Sequence, residues 1–211
     1  MEAQNKQRIY DELDALFPDA GCELNHKNPF QLLVAVMLSA QTTDVSVNKV
    51  TPALFAAYPS AKELSEATEE SLQDYIRSIG LYRNKARSIK KMAQILVEKY
   101  NGEVPNDYRS LVALPGVGRK TANVVMAEAF GVPAIAVDTH VARISKRLGF
   151  ADRDDPVIVI EDKLMAEIPE ERWIKMHHQL IHFGRYRCRA KNPDCHLCHL
   201  VDICLEDNKK V

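Results

Sequence analysis

One short stretch decides the fold: Leu114-Pro115-Gly116-Val117-Gly118-Arg119-Lys120-Thr121-Ala122. Proline fixes one residue of a turn, and the two glycines permit a left-handed backbone and the close approach of another chain segment. A helix is predicted from Arg119 to Phe130, with Gly131 as its stop. Because its first amide groups are unpaired and lie at the positive end of the helix dipole, the turn is a predicted seat for a phosphate oxygen.

Lys120 lies in the first turn of this predicted helix. One interpretation is a surface lysine that contacts phosphate, and the other is a nucleophile. The helix dipole and the neighbouring Arg119 both disfavour a protonated amine, and contact with a bound duplex would add to this effect. A nucleophilic amine has to be neutral, so these conditions suit the second interpretation without excluding the first.

Asp138 follows the apolar segment Ala134-Ile135-Ala136-Val137 and precedes a predicted helix start at Thr139. The simplest interpretation is a helix N-cap. A capped, oriented carboxylate is also well placed to stabilise a developing cation, so the two roles are compatible.

Helical signals dominate the rest of the chain. One predicted helix begins after an N-cap at Asn28-Pro29, and another begins at Thr68 and ends at Gly80. A third ends at Asn101-Gly102, and a fourth is capped by Asp155-Pro156 and runs through Ile168. Few glycines and only one strong hairpin dipeptide disfavour an antiparallel sheet. The chain is therefore predicted to be all-α, with roughly ten short helices.

Charge is balanced overall but unevenly placed. The 211 residues hold 28 Lys and Arg against 29 Asp and Glu, which excludes a globally basic nucleic-acid binder. Residues 77–150, however, hold 13 bases and 5 acids, whereas residues 152–171 hold eight acids and two bases. One basic and one acidic face suit a binder of phosphate backbones. Ordinary solvated helix faces would show the same pattern.

The sequence predicts neither a targeting segment nor a membrane span. Its longest apolar run, Leu32 to Leu38, is far below the ~20 residues of a membrane span. The first twenty residues are rich in acids and bases, which argues against a secretory or transit peptide. We expect a cytoplasmic protein with no membrane partner.

Four of the five cysteines form the pattern Cys188-x6-Cys195-x2-Cys198-x5-Cys204. In a reducing compartment, clustered cysteines more often hold metal than form disulfides. Zinc is one assignment, which His196 and His199 keep open. The unequal spacing, with a single Cys-x-x-Cys, favours one [4Fe–4S] cluster with all-cysteine ligation.

In this order and combination, these features resemble the endonuclease III family of helix-hairpin-helix DNA glycosylases. The resemblance covers essentially the whole chain, and no motif position departs from it. Its carriers are Leu38-Ser39-Ala40-Gln41-Thr42-Thr43-Asp44, Ile79-Gly80-Leu81-Tyr82, the stretch 114–122, Val137-Asp138-Thr139-His140-Val141 and the four-cysteine loop.

The resemblance implies a two-lobed all-α fold. Residues 22–132 would form a six-helix barrel domain that contains the helix-hairpin-helix, and residues 1–21 with 133–211 would form an iron–sulfur cluster domain. Damaged double-stranded DNA would lie in the cleft between them, where Lys120 and Asp138 would face each other. A monomer is expected.

The implied activity is base excision repair by a combined DNA glycosylase and AP lyase acting on oxidised pyrimidines. The damaged nucleotide would be flipped out of the duplex, with Leu81 as the wedge and Gln41 filling the gap. Lys120 would attack the sugar and Asp138 would stabilise the cationic intermediate, before β-elimination cuts the strand on the 3′ side. The remaining implied DNA contacts are Gly116, Val117, Gly118, Arg119, His140, Arg143, Arg189 and Lys191, and the implied ligands of one [4Fe–4S] cluster are Cys188, Cys195, Cys198 and Cys204.

Three alternatives remain. A small electron-transfer protein would leave the basic face and the hairpin unexplained. A non-catalytic DNA-binding module with a structural metal would share the hairpin and the cysteine loop. The adenine mismatch glycosylase of the same superfamily lacks a lysine at the position of Lys120 and carries a further C-terminal domain, for which no residues follow Val211.

Overall fold

The computed structural model describes residues 1–209 of the chain. Within this range every regular element is a helix, which confirms the all-α prediction. The α-helices are α1 Ala3–Leu16, α2 Pro29–Leu38, α3 Asp44–Ala57, α4 Ala61–Glu66, α5 Glu69–Ile76, α6 Tyr82–Tyr100, α7 Tyr108–Val112, α8 Arg119–Phe130, α9 Thr139–Arg147, α10 Val157–Glu167 and α11 Trp173–His182. None of these helices has the length and apolarity that crossing a membrane requires.

The chain divides into two compact units. One is continuous and runs from Cys22 to Val132, so it contains α2 to α8. The other combines Met1–Gly21 with the chain from Pro133 onward, so it contains α1 and α9 to α11. Lys120 therefore belongs to the first unit, and Asp138 and the four clustered cysteines belong to the second.

The Cys22–Val132 unit is built around α2, in which Phe30 to Leu38 are all buried. Asn28 caps this helix by accepting a hydrogen bond from the Gln31 amide, and Pro29 occupies the first turn, as predicted. α8, α3 and α6 pack against α2, and α6 also packs against α4 and α5. This arrangement brings the hairpin of α7 and α8 onto the same core.

Helix boundaries follow the predicted signals in most places. Thr68 caps α5, and α8 ends at Gly131 with φ +65°. The prediction that Gly80 ends α5 is wrong, because that helix already ends at Ile76 and continues as a turn. The Asp155 cap is also wrong: its carboxylate instead accepts hydrogen bonds from the Asp152 amide and the Lys163 ammonium.

The second unit has its own apolar core. α9 packs against α10 and α11, and α1 packs against α11. The core is formed by fully buried side chains from each of these helices, among them Leu13, Ile144, Leu164, Met176 and Leu180. The apolar segment that leads to Asp138 contributes Ile135 and Val137 to the same core, so the position of Asp138 is fixed by packing on its N-terminal side.

A polar cluster centred on Asp14 ties α1 to the start of α11. The Asp14 carboxylate lies 2.8 Å from Lys175 Nζ and 2.9 Å from Arg172 Nη2, and it accepts a hydrogen bond of 2.8 Å from Gln179. The hydrogen bond from Lys175, followed by those from Arg172 and Gln179, holds the pKa of Asp14 well below its usual value, although partial burial opposes this shift.

Replacing Asp14 with Asn should therefore lower stability at neutral pH. Since the side chain is about one-third exposed, we expect a loss of about 1 kcal/mol in the free energy of unfolding. A lowered folded-state pKa stabilises the protein above the unfolded-state pKa of about 4, and this contribution disappears as the pH falls towards the folded-state value. Urea titrations of both proteins at several pH values measure the difference.

The control is Asp11→Asn on the same helix, where the aspartate is exposed. The account requires the gap between wild type and Asp14→Asn to shrink in acid. A gap of constant size from neutral pH to well below pH 4 would show that the carboxylate charge contributes nothing.

Candidate active site and cysteine loop

The turn between α7 and α8 is packed directly onto the core of its unit. Leu114 and Val117 are buried, and the Val117 amide donates to the Leu114 carbonyl at 3.1 Å. Gly116 has φ +80°, and a Cβ atom there would lie 3.0 Å from both Met37 Cε and Ser88 Cβ. The left-handed backbone and the lack of space for a Cβ atom both favour glycine at position 116. The absence of a side chain there lets the turn pack closely against α2 and α6.

The N-terminus of α8 is left open by its cap residue. Gly118 occupies the cap position in an extended conformation with φ −97°, and it offers no side chain to the first amides of the helix. Of the two glycines, only Gly116 therefore uses the left-handed region. Lys120 is the second residue of α8 and is exposed. An exposed amine thus lies at the positive end of a helix whose cap residue has no side chain.

Asp138 caps α9, as predicted. Its Oδ1 accepts hydrogen bonds from the amides of His140 and Val141, both at 2.8 Å. Within residues 1–209, Oδ2 has no hydrogen-bond partner. The cap orients the carboxylate through one oxygen and leaves the other available, so the catalytic role stays a prediction that this geometry permits.

His140 and Arg143, on the first turns of α9, face neighbouring segments of their own unit. Arg143 Nη2 donates to the carbonyls of Gly184 at 2.8 Å and Cys188 at 3.2 Å, and lies 3.3 Å from His140 Nδ1. Burial lowers the pKa of His140, an effect that Asp138 opposes and Arg143 reinforces. A neutral His140 brings no positive charge to a phosphate, and the DNA contacts of both residues stay predictions.

Gln41 and Leu81 share an unusual backbone conformation. Both are exposed, and both lie in the left-handed region, with φ values of 53° and 58°. The other two left-handed residues that are not glycine, within the described range, are Asn101 and Asn192. Asparagine tolerates this region, whereas other side chains pay about 1–2 kcal/mol. Strain of this kind is characteristic of functional sites.

The four clustered cysteines line a single cavity in the second unit. Apolar neighbours, including Leu148, Phe183 and Val201, line it with them. His196 and His199 are exposed and are not part of its lining, and His199 Nδ1 lies 3.0 Å from Glu12 Oε2. Within the described residues, four cysteines and no histidine line this cavity, which disfavours a zinc site with mixed Cys and His ligands.

Arg147 holds the cysteine loop to α9. Its Nη1 donates to Cys188 Sγ at 3.2 Å and to the Arg189 carbonyl at 3.1 Å, while its Nε pairs with Glu206 at 2.7 Å. The loop is entered through a π-helical turn, Phe183–Arg187. A guanidinium in contact with a thiol sulfur is suited to offset negative charge that develops on a thiolate ligand.

Burial raises the pKa of Cys188 and of Cys198, and the Arg147 hydrogen bond opposes the shift at Cys188. Within residues 1–209, no group of three His, Cys, Asp or Glu side chains lies close enough together to hold a metal ion. The chemistry of the donor set nevertheless fits a metal–sulfur group, because four thiols surround one apolar cavity beside a cation.

The two cations predicted to contact DNA from this loop differ in their surroundings. Arg189 Nη2 pairs with Asp194 at 2.7 Å and donates to the Asn192 carbonyl at 3.2 Å. Lys191 is exposed. Arg189 therefore stabilises the loop itself, and Lys191 is the better placed of the two to meet a phosphate.

Comparison with known proteins identifies the family. The model of the HhH-GPD superfamily of base excision DNA repair proteins matches residues 34–170. The chain belongs to this superfamily.

Relatives within the HhH-GPD superfamily match over nearly the whole chain. Endonuclease III of Bacillus subtilis (strain 168) is 54% identical over 95% of this chain and 91% of its own length. The protein in a solved non-covalent endonuclease III–DNA complex is 56% identical to this chain, with a TM-score of 0.94. The match covers 98% of this chain and 96% of the chain in the complex. A trapped covalent intermediate of endonuclease III with DNA has the same identity and a TM-score of 0.92, over 98% and 97%. The resemblance to endonuclease III is thereby confirmed, and this HhH-GPD protein is a base-excision-repair DNA glycosylase.

Lys85 was not identified from the sequence as a site residue. It is buried on α6, and its Nζ donates to Thr42 Oγ1, next to Gln41, at 2.7 Å. The signal was nonetheless present, because Lys85 lies four residues before Ile89 and so occupies a position in the apolar stripe of α6.

Gly116→Ala should destabilise this HhH-GPD protein more than the backbone strain alone explains. The left-handed φ contributes about 1–2 kcal/mol, and contact with Met37 and Ser88 adds an overpacking cost of about 1–3 kcal/mol. Gly102→Ala is the matched control, because Gly102 has φ +83° with no atom near its Cβ position. Equal losses in the free energy of unfolding for the two variants would contradict a tightly packed turn.

Proposed function

We propose that this chain removes oxidised pyrimidines from double-stranded DNA and then cuts the strand on the 3′ side of the abasic site, through a Schiff base on Lys120. The observation that carries the proposal is the exposed Lys120 amine at the uncapped start of α8, directly after a turn that packing makes rigid. A relative that has been trapped as a covalent intermediate with DNA supports this type of reaction.

In the proposed reaction, neutral Lys120 Nζ forms a bond to the sugar C1′. The bond between C1′ and the base breaks, and the base leaves with the electron pair and gains a proton. Opening of the sugar ring gives an iminium at C1′, which acidifies the C2′ proton. Loss of that proton sends its electron pair into a C2′–C3′ double bond, and the 3′ phosphate leaves.

Asp138 is proposed to stabilise the positive charge that develops on the sugar. The two amides that bind Oδ1 hold the carboxylate in one orientation, and Oδ2 is left to face the cation. A pre-oriented charge requires no reorganisation during the reaction, which is the basis of electrostatic stabilisation of a transition state.

We propose that the hairpin residues Gly116, Val117, Gly118 and Arg119 bind the phosphate backbone through amides and charge. Leu81 would enter the base stack and Gln41 would pair with the base that is left without a partner. His140, Arg143, Arg189 and Lys191 complete the proposed contacts. The protein would act as a monomer on cytoplasmic DNA.

Cys188, Cys195, Cys198 and Cys204 are proposed to hold one [4Fe–4S] cluster. Bound there, the cluster would stabilise the conformation of the loop that carries Arg189 and Lys191. The chain's own contribution to the site is the apolar lining and the guanidinium of Arg147, which donates to Cys188 Sγ. The all-thiol donor set supports this assignment over mixed-ligand zinc.

The test of the proposed reaction is borohydride trapping on a duplex that contains one oxidised pyrimidine. Wild-type protein should give a covalent adduct, because borohydride reduces the iminium to a stable amine. Lys120→Gln should give no adduct and still bind the duplex. Lys91→Gln, at an exposed lysine of α6, should react like wild type. An adduct of undiminished yield from Lys120→Gln would contradict the assignment of the nucleophile.

The cluster proposal predicts brown protein with about four irons per chain. Cys198→Ser should lower both the iron content and the visible absorbance of the protein, because one thiolate ligand is lost. Cys22→Ser, at the cysteine outside the loop, should leave both unchanged. Colourless protein that holds one zinc per chain would contradict the cluster.

A further inference from the structure

Lys85 is a buried cation with one polar partner. It begins the buried face of α6, which continues through Ala86, Ile89 and Met92, and its residue is only 7% exposed. Within the described residues, its Nζ forms no ion pair, and its one hydrogen bond goes to Thr42 Oγ1 at 2.7 Å. Burial lowers the pKa of Lys85. A methionine would fill this space without the desolvation cost, so packing does not explain the lysine.

The side chain of Lys85 reaches the loop that carries Gln41. Thr42 Oγ1, which accepts from Lys85, itself donates to the Ala40 carbonyl at 3.4 Å. The Thr42 amide closes a turn onto the Ser39 carbonyl at 3.0 Å. Hydrogen bonds therefore fix the chain on both sides of Gln41, the residue with φ 53°.

The backbone of Lys85 reaches the second strained residue. Its amide donates to the Leu81 carbonyl at 3.0 Å, the first helical hydrogen bond of α6. Leu81 itself has φ 58° and is 56% exposed. Lys85 thus contacts the chain at both left-handed, exposed positions. Any residue other than proline would make the amide contact to Leu81, so only the ammonium contact on the Gln41 side depends on the lysine.

We propose that Lys85 is a positioning residue whose ammonium holds Gln41 in the strained conformation in which this side chain enters the DNA stack alongside Leu81. The proposal rests on the proposed function, which assigns insertion to these two side chains. Left-handed backbone at residues other than glycine persists only where the surroundings determine it strongly. The hydrogen bond between Lys85 and Thr42 supplies that constraint on the Gln41 side.

The test needs a readout of insertion that does not depend on bond cleavage. We would use a duplex with 2-aminopurine opposite a tetrahydrofuran abasic analogue, whose fluorescence rises when the opposite base loses its stacking partners. Wild-type protein should produce the rise. Lys85→Met and Thr42→Val should each lower the equilibrium constant for insertion about tenfold, the effect of losing one hydrogen bond to a charged group.

Three comparisons separate positioning from a general structural role. Thr42→Ser keeps the hydroxyl and should restore the fluorescence rise. Lys85→Met with Thr42→Val should be no worse than either single variant, because both remove the same interaction. Lys91→Met, an exposed lysine on the same helix, should behave like wild type. The melting temperature of Lys85→Met should equal or exceed that of wild type, since a buried charge is removed.

Several results would overturn the proposal. These are a full fluorescence rise in Lys85→Met and Thr42→Val, an equal loss in Thr42→Ser, additive losses in the double variant, or no rise with wild type. Borohydride trapping distinguishes this outcome from failure of the proposed function. If wild type is trapped normally while the fluorescence is insensitive to Lys85, the chemistry stands and the positioning role is wrong.

Discussion

A helix leaves its first amide groups without partners, and the two helices that carry the candidate catalytic residues meet this constraint in opposite ways. α8 starts at Gly118, which has no side chain to cap the helix, and Lys120 lies in its first turn. α9 starts at Asp138, whose Oδ1 binds two amides and whose other oxygen stays available. One helix start is thus suited to bind an anion and the other to stabilise a cation, which are the two charges of a sugar–phosphate under attack.

Much of this arrangement can be predicted from the sequence, because it depends on the chemistry of neighbouring residues. Pro-Gly-x-Gly before Arg-Lys predicts the hairpin, and an aspartate between an apolar run and a helix predicts the cap. The boundaries of α2 and α8 follow for the same reason. The cysteine spacing predicts a common site, and the four cysteines line one cavity.

The features that could not be predicted depend on hydrogen-bond partners that no local sequence pattern selects. The sequence predicts that Asp155 caps a helix, but its carboxylate accepts hydrogen bonds from the Lys163 ammonium and the Asp152 amide. The sequence does not indicate that Arg143 donates to the carbonyls of Gly184 and Cys188, 41 and 45 residues away. Lys85 is the clearest case: its role depends on Thr42, 43 residues away. Together Arg143 and Arg147 also tie the helix that starts at Asp138 to the cysteine loop, a connection that only the folded chain reveals.

The central claim is that one amine, that of Lys120, forms the bond to the sugar. The most direct measurement is peptide mapping by mass spectrometry of the borohydride-reduced adduct after nuclease and trypsin digestion. Because trypsin does not cut after an alkylated lysine, the account predicts a single modified peptide that runs from Lys120 to Arg143 and carries the sugar remnant on its first residue. A remnant on the N-terminal amine or on any other lysine would contradict the account.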